Sequence, residues 1–237
     1  MRTREERIAG TFVELADTLV AEFDLIDFLH RLVEVTVDLV DADAGGLMLA
    51  DQRGGLEVMA ASSHATRLLE LFELQHEEGP CLDAFRSGRA VSRSDLASMT
   101  ATWPRFTPRM AQAGFASAEA VPMRLRDQVI GALNVFRVGE GALGPADLAL
   151  AQALADVATV GILQQRVIAA RELLAEQLQG ALTSRVRIEQ AKGVLAERSG
   201  IDVDQAFEVM RSNARRTGRQ LSVVVDAVLD GTFPLPG

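Results

Sequence analysis

Twice in this chain the apolar residues abandon helical spacing, and those two places constrain the fold more than any other feature. Gly46-Leu47-Met48-Leu49-Ala50 and Leu56-Glu57-Val58-Met59-Ala60 flank Asp51-Gln52-Arg53-Gly54-Gly55, which predicts a hairpin with a glycine-containing loop. A second hairpin is predicted from Glu119–Leu125 and Val129–Phe136 around Arg126-Asp127-Gln128. Ahead of them, Phe12, Leu15 and Leu19, then Leu25, Phe28, Leu29, Leu32, Val35, Val37 and Val40 recur at helical spacing, with Asp24 as the cap between two helices. Between the hairpins lie short helical and loop segments at 64–74, 80–87 and 102–113. Helices, hairpin, helical insert, hairpin, helix is the order of an antiparallel sheet with helices packed on it, an α+β domain.

Composition narrows the class. The chain has 237 residues, enough to bury a sizeable core in one or two domains. Its single cysteine, Cys81, excludes an intramolecular disulfide and any four-cysteine metal site. The apolar stretch from Leu148 to Leu163 is interrupted by Asp156, so no membrane span is predicted. The N-terminus is amphipathic, with Glu14 and Asp17 where a secretory signal needs a continuous apolar core. The cytoplasm is the expected compartment.

After Pro145-Ala146-Asp147, a helix start, no Gly-Pro pair or polar tract breaks the pattern until Gly180. Val160, Val167, Leu174, Ala181 and Ile188 recur every seven residues. They suit either a coiled-coil seam joining two copies of the chain or a helix packed on its own domain. Three short helices are predicted in the tail: Ser184 to Arg198, stopping at Gly200; a second from Asp202, whose pairing with Gln205 is a capping-box pattern, to near Gly218; and a third from near Ser222 to before Gly231.

The formal net charge of −9 argues mildly against nucleic acid for the whole chain. The acidity, however, belongs to the front: residues 182–237 hold eight basic and seven acidic side chains. In that near-neutral tail, Ile188, Ala191 and Leu195 share one face of the first helix, and Phe207, Met210 and Ala214 one face of the second. Arg185 and Lys192 flank the first apolar face on the same side, and Arg211, Arg215 and Arg219 flank the second at four-residue spacing, with Arg216 turned further out. Such a cluster suits phosphate oxygens, which arginine grips bidentately, or equally a solvated face paired with acids from elsewhere. Lys192 is the only lysine in the chain.

The segment around it, Gln190-Ala191-Lys192-Gly193-Val194-Leu195, followed by Ala206-Phe207 and Met210-Arg211, resembles an ANTAR domain, a three-helix RNA-binding module of bacterial transcription antiterminators. The resemblance implies binding to RNA with paired hairpins, whose loops present unstacked bases, and prevention of a downstream terminator. It carries Arg185, Gln190, Lys192, Arg211, Arg215 and Arg219 forward as RNA-binding candidates. The third helix departs from the family pattern, with Leu221-Ser222-Val223-Val224-Val225-Asp226 where more alanine is expected, so no contact is carried onto it.

The front of the chain resembles a second family. Glu78-Gly79-Pro80-Cys81-Leu82-Asp83-Ala84-Phe85, Gly88-Arg89-Ala90-Val91, Trp103-Pro104-Arg105-Phe106, Val121-Pro122-Met123-Arg124 and Ile130-Gly131-Ala132-Leu133-Asn134-Val135 are together similar to a GAF domain of the actinobacterial regulator type. That implies a sensory fold with a pocket between sheet and helical insert, and often a dimer. The expected division is 1–165 for the GAF-like sensory domain, 166–183 for a helical connector or coiled coil, and 184–237 for the ANTAR-like RNA-binding domain. The expected partners are hairpin RNA, a second copy of the chain and an upstream signalling partner, with no membrane.

Signals of catalysis are weak. No Walker-type loop, nucleophile elbow or zinc motif appears, and His30, His64 and His76 show no paired metal spacing. GAF-like methionine-sulfoxide reductases work through several cysteines, and this chain has one. The lysine-containing ligand set of cyclic-nucleotide-binding relatives cannot be built at the front, where there is no lysine. No cofactor and no enzymatic activity are expected, and the sensory ligand is not identified. Cys81 reads as a small buried hydrophobe, and Trp103 as a packing residue or a pocket wall. Two other classes stay open: a DNA-binding regulator built on the same three helices, and a non-enzymatic dimerisation or interaction scaffold.

Overall fold

The computed structural model describes residues 3–18, 24–51 and 53–234; within the long helix the side chains of 172, 173, 178 and 180–182 are not described. The chain divides into two compact units, Met1–Arg166 and Val167–Gly237.

The first unit is built on a five-stranded antiparallel sheet in the order β2-β1-β5-β4-β3, with β1 Ala44–Ala50, β2 Leu56–Ala61, β3 Val91–Arg93, β4 Ser117–Leu125 and β5 Gln128–Arg137. Both predicted hairpins are present. The two-residue period of the strands divides the core in two. Leu47, Leu49, Val121, Met123, Leu133 and Val135 share one cluster with α1 Arg4–Thr18, α2 Leu25–Leu39 and the first turns of α7 Pro145–Ser199. The alternate positions Met48, Ala118, Ala120, Ala132 and Phe136 face the insert: α3 His64–His76, α4 Pro80–Ser87, α5 Leu96–Thr102 and α6 Phe106–Gln112. Three of these five are alanines, and Gly46 lies beside them, so helices approach the sheet closely on this side. Asp24 caps α2, its carboxylate accepting from the amides of Ile26 and Asp27.

The insert differs from the sequence expectation in one respect. Of the short helical and loop segments expected there, 102–113 holds α6, but α5 precedes it at Leu96–Thr102, where no helix was expected, and the two are separated at Trp103. Pro104 disfavours helical geometry at the residue before it, and Trp103 is extended out of the helix accordingly (φ −128°, ψ 70°). Its ring is buried, meets Phe106 edge-on at 6.2 Å and donates its indole N–H to Asp83 at 2.9 Å, so it is a packing residue.

Gly180 does not end a helix. The connector and the first helix expected for the tail are both part of α7, which runs to Ser199 and is terminated by Gly200 at φ +64°. Pro145–Gln177 of this helix is also long and apolar enough by composition to cross a membrane, contrary to expectation. Its side chains Ala151, Leu154, Ala155, Ala158 and Ile162 are, however, buried in the core of the first unit.

In the second unit the end of α7 packs with α8 Val203–Thr217 and α9 Leu221–Leu229 around Ala191, Leu195, Ala206, Met210, Ala214, Val224, Val225, Val228 and Phe233. Alanines at 191, 206 and 214 permit close helix approach. Asp202 and Gln205 form the capping box: the Asp202 carboxylate accepts from the amides of Asp204 and Gln205, and the Gln205 side chain accepts from the Asp202 amide. The valine-rich α9 is a helix because three of its valines are buried, and packing outweighs intrinsic propensity here.

Candidate functional site

The flank of α7 that carries Arg185 and Lys192 meets the flank of α8 that carries Phe207, Arg211 and Arg215. The join is Lys192 itself. Its ammonium lies 5.9 Å from the Phe207 ring centroid, 3.1 Å from a Glu189 carboxylate oxygen and 3.9 Å from Asp204 on α8. Only 14% of its side chain is exposed. A lysine placed over an aromatic face between two acids stabilises the packing of α7 on α8 as well as carrying charge.

From that point the cations run along α8. Phe207, Arg211 and Arg215 follow at four-residue intervals and are neighbours on the helix surface. Arg211 is 3.5 Å from Glu208, while Arg215, Arg219 and Arg185 are exposed and carry no ion pair among the described residues. Arg219 follows Gly218, whose left-handed conformation (φ +66°) turns the chain, and the Arg219 amide donates back to the Ala214 carbonyl. Arg219 is therefore fixed at its backbone and free at its guanidinium. The face holds five cations against the acids Glu189, Asp204 and Glu208.

Not all of the sequence-derived candidates gather there. Gln190 is exposed, but at about 100° per residue it lies roughly 160° around α7 from Lys192. It shares its side with Arg187, which pairs at 2.6 Å with Asp226 of α9. Arg216 points away from the row, lining a hollow with Ser212, Asn213 and Phe233. Sequence reasoning placed Phe207 in the core and missed its second role as the half-buried ring under Lys192. The four-residue spacing from Phe207 to Arg211 was the available signal.

The first unit has a different polar centre, between the sheet and the insert. Glu70 and Glu73 of α3 are both fully buried, as are Asn134 of β5 and Cys81 of α4. The Asn134 amide nitrogen donates to Glu70 at 2.8 Å and sits 3.4 Å from Glu73, whose other oxygen accepts from the Leu82 amide. Glu70 Oε2 and Asn134 Oδ1 have no hydrogen-bond partner among the described residues. Burial without a cation pushes the Glu70 carboxyl from its ordinary 4.5 up to about 7, against the smaller opposing effect of the Asn134 bond. Glu73 moves in the same direction, through burial and then the charge of Glu70. The Cys81 thiol is held up by burial and by both carboxylates, and donates to the Ala132 carbonyl at 3.4 Å. Among the described residues no three His, Cys, Asp or Glu side chains are grouped so as to hold a metal ion.

Comparison with known proteins identifies both units. The GAF domain profile matches residues 24–162 and the ANTAR domain profile residues 176–229. No curated protein matches the chain. Among solved structures, the GAF domain of an Acinetobacter phosphoenolpyruvate-protein phosphotransferase is similar at a TM-score of 0.53 and 17% identity, covering 72% of this chain and 99% of that one. The GAF domain of a phosphoenolpyruvate-protein phosphotransferase from Coxiella burnetii gives 0.56 at 16% identity, covering 69% and 97%. A free methionine-R-sulfoxide reductase from Neisseria meningitidis, solved with its substrate, gives 0.54 at 17%, covering 70% and 91%. At these identities the likeness is one of fold.

Proposed function

We propose that this chain, which belongs to the GAF family and joins its GAF domain to an ANTAR domain, holds hairpin RNA against the cationic face of its C-terminal bundle when a signal reaches the N-terminal domain. The ANTAR domain makes it an RNA-binding antitermination regulator, and the GAF domain ahead of it makes it a signal-sensing one. This is a regulatory pairing of domains.

The observation that carries the finer reading is the row Lys192, Phe207, Arg211, Arg215. A half-buried aromatic ring among cations offers an unstacked base a surface to lie on and its phosphates a place to bind. Arg185, Arg215 and Arg219, exposed and without acid partners among the described residues, supply the phosphate contacts, and Arg211 joins them by leaving Glu208. Lys192 holds the ring and the α7–α8 junction, and RNA phosphate takes the place of Glu189 beside it. Gln190 contributes from the opposite flank only if RNA wraps around α7.

Two bundles acting together would gain from linkage beyond the affinity of either alone. Val160, Val167 and Leu174 are exposed at seven-residue spacing, which supports pairing of α7 with a second copy of the chain; Ala181, the next position, lies outside the described side chains. A ligand or signalling partner at the GAF domain would act by altering that pairing, in the cytoplasm where transcripts emerge, and without catalysis.

The test is titration of purified protein, at stated salt, against a two-hairpin RNA, its DNA equivalent and a single-hairpin control. Tight binding that needs RNA and both hairpins, lost in Arg215→Ala/Arg219→Ala with the helical circular dichroism unchanged, is the expected result. Equal affinity for DNA would make the tail a duplex reader. No binding to either would make it a protein-docking module.

A further inference from the structure

Helix α3 is turned against its own composition. Its glutamates Glu70 and Glu73 are fully buried, while Leu68 and Leu71 are 54% and 38% exposed. Burying two carboxylates and wetting two leucines is unfavourable on both counts, and an exposed apolar patch of this kind calls for a cover.

The leucines do not lie on a flat surface. With Phe72 and Gln75 they form one wall of a groove of about 410 Å³, and Arg109 and Gln112 of α6 form the other. That is within the size of small-molecule sites, which combine an apolar lining with a few placed polar groups. Arg109 is the only charged residue in the lining. Its guanidinium is held in place, 5.4 Å over the Phe72 ring and donating to Gln112 at 3.2 Å, and it pairs with no acid among the described residues. Phe72 is in turn stacked on His76, with ring centroids 3.8 Å apart. A pre-oriented cation without a counter-ion at an apolar groove fits a molecule that brings both missing parts: a carboxylate and a hydrocarbon body.

We propose that the α3–α6 groove is a binding site for a small amphipathic carboxylate, its apolar body against Leu68 and Leu71 and its carboxylate on Arg109. No strand residue lines the groove, and the proposal is independent of RNA binding by the tail. Occupation removes Leu68 and Leu71 from water and so favours the orientation of α3 that keeps Glu70 and Glu73 inside.

The experiment is calorimetric titration of the full chain with octanoate, and with octanol and octylammonium as controls for the hydrocarbon and the charge. Octanoate should bind saturably, and roughly 10-fold or more tighter than either control, as a desolvated charge-assisted pair provides. Arg109→Gln should abolish that preference while leaving octanol binding unchanged, and Leu71→Asp should abolish binding of all three. Arg109 and Leu71 are both exposed, so circular dichroism should show both variants folded; if one is not, Arg109→Lys, which keeps charge without the planar fork, should retain part of the preference. Absence of saturable octanoate binding, equal binding of the controls, or insensitivity to Arg109→Gln would each overturn the proposal. So would a change of oligomeric state in Leu71→Asp without octanoate binding, which would make the groove an interface between copies.

Discussion

The side-chain amide of Asn134 donates to Glu70 across 2.8 Å in a space that water does not reach. The same nitrogen is the nearest donor to one oxygen of Glu73, so two buried carboxylates share a single neutral amide. Such a pair is stable only with at least one proton on it. Burial raises both carboxyls above their ordinary range, so the interior of the GAF domain favours a proton on the pair.

Stability of the GAF domain should fall as pH rises from about 5 to about 7. Between the ordinary carboxyl value of 4.5 and about 7, folded Glu70 keeps a proton that the unfolded chain has released. Each upward step in pH across that window then favours unfolding, by roughly 3 kcal/mol in total for this group. Glu73 adds a contribution of the same sign. Urea denaturation at pH 5, 6, 7 and 8 measures the slope. Glu70→Gln, neutral at every pH, should flatten it and raise stability at pH 7.5; a slope unchanged in that variant would show that the proton sits elsewhere.

Gly46→Ala should destabilise the same region. A Cβ at this position would come within 2.4 Å of the Glu70 carboxylate and 3.0 Å of its Cγ, and Glu70 is fully buried. Overpacking of this kind costs about 1–3 kcal/mol. Thermal unfolding checks it, and pairing the change with Glu70→Ala should recover much of the loss.

Asp202→Ala should loosen the RNA-binding bundle by about 1–2 kcal/mol, because α8 loses the carboxylate that accepts from two of its first amides. Asp202→Ser should cost much less. Hydrogen exchange at the start of α8 separates the two, and equal exchange in all three proteins would deny the cap its role.

Salt dependence should count the phosphate contacts. If Arg215 and Arg219 each neutralise one phosphate on single-stranded loop RNA, the slope of log affinity against log salt should drop by roughly 0.7 for each arginine replaced by alanine. Lys192→Ala should behave differently, lowering the melting temperature of the bundle along with RNA affinity, because its ammonium is engaged with Glu189, Asp204 and Phe207 before any RNA arrives. A Lys192→Ala protein of unchanged stability would return that lysine to the simpler role of a phosphate contact.

The parts of the fold that were legible in the sequence are those written in local chemistry. Asp51 accepts from the amides of Arg53 and Gly55 within its own turn, and Asp202 and Gln205 satisfy each other across three residues, so both could be read without knowing the fold. Strand β3 has three residues and no alternation to detect, and it exists because Val91 and Arg93 pair with Ala120 and Ala118. The orientation of α3 was hidden for a different reason. Leucines and glutamates alternate there at spacings that suit either face, and the missing side chains at Gly46, beside Glu70, and at Gly79, beside Glu73, make room for the carboxylates inside. At the RNA-binding face the arginine row was legible from its spacing. Of the acids that engage Lys192, Asp204 was not legible, because it reaches the lysine from another helix.

Cys81 has one further consequence. Its thiol is the only one in the chain, and it is sealed between α4 and the sheet with its proton directed at the Ala132 carbonyl. A thiol-reactive dye can modify it only in molecules whose insert has lifted from the sheet, and no second sulfhydryl competes for the signal. At a fixed pH the labelling rate of the unmodified protein thus follows the opening of that seam, and it can be read with or without octanoate before a single mutation is made.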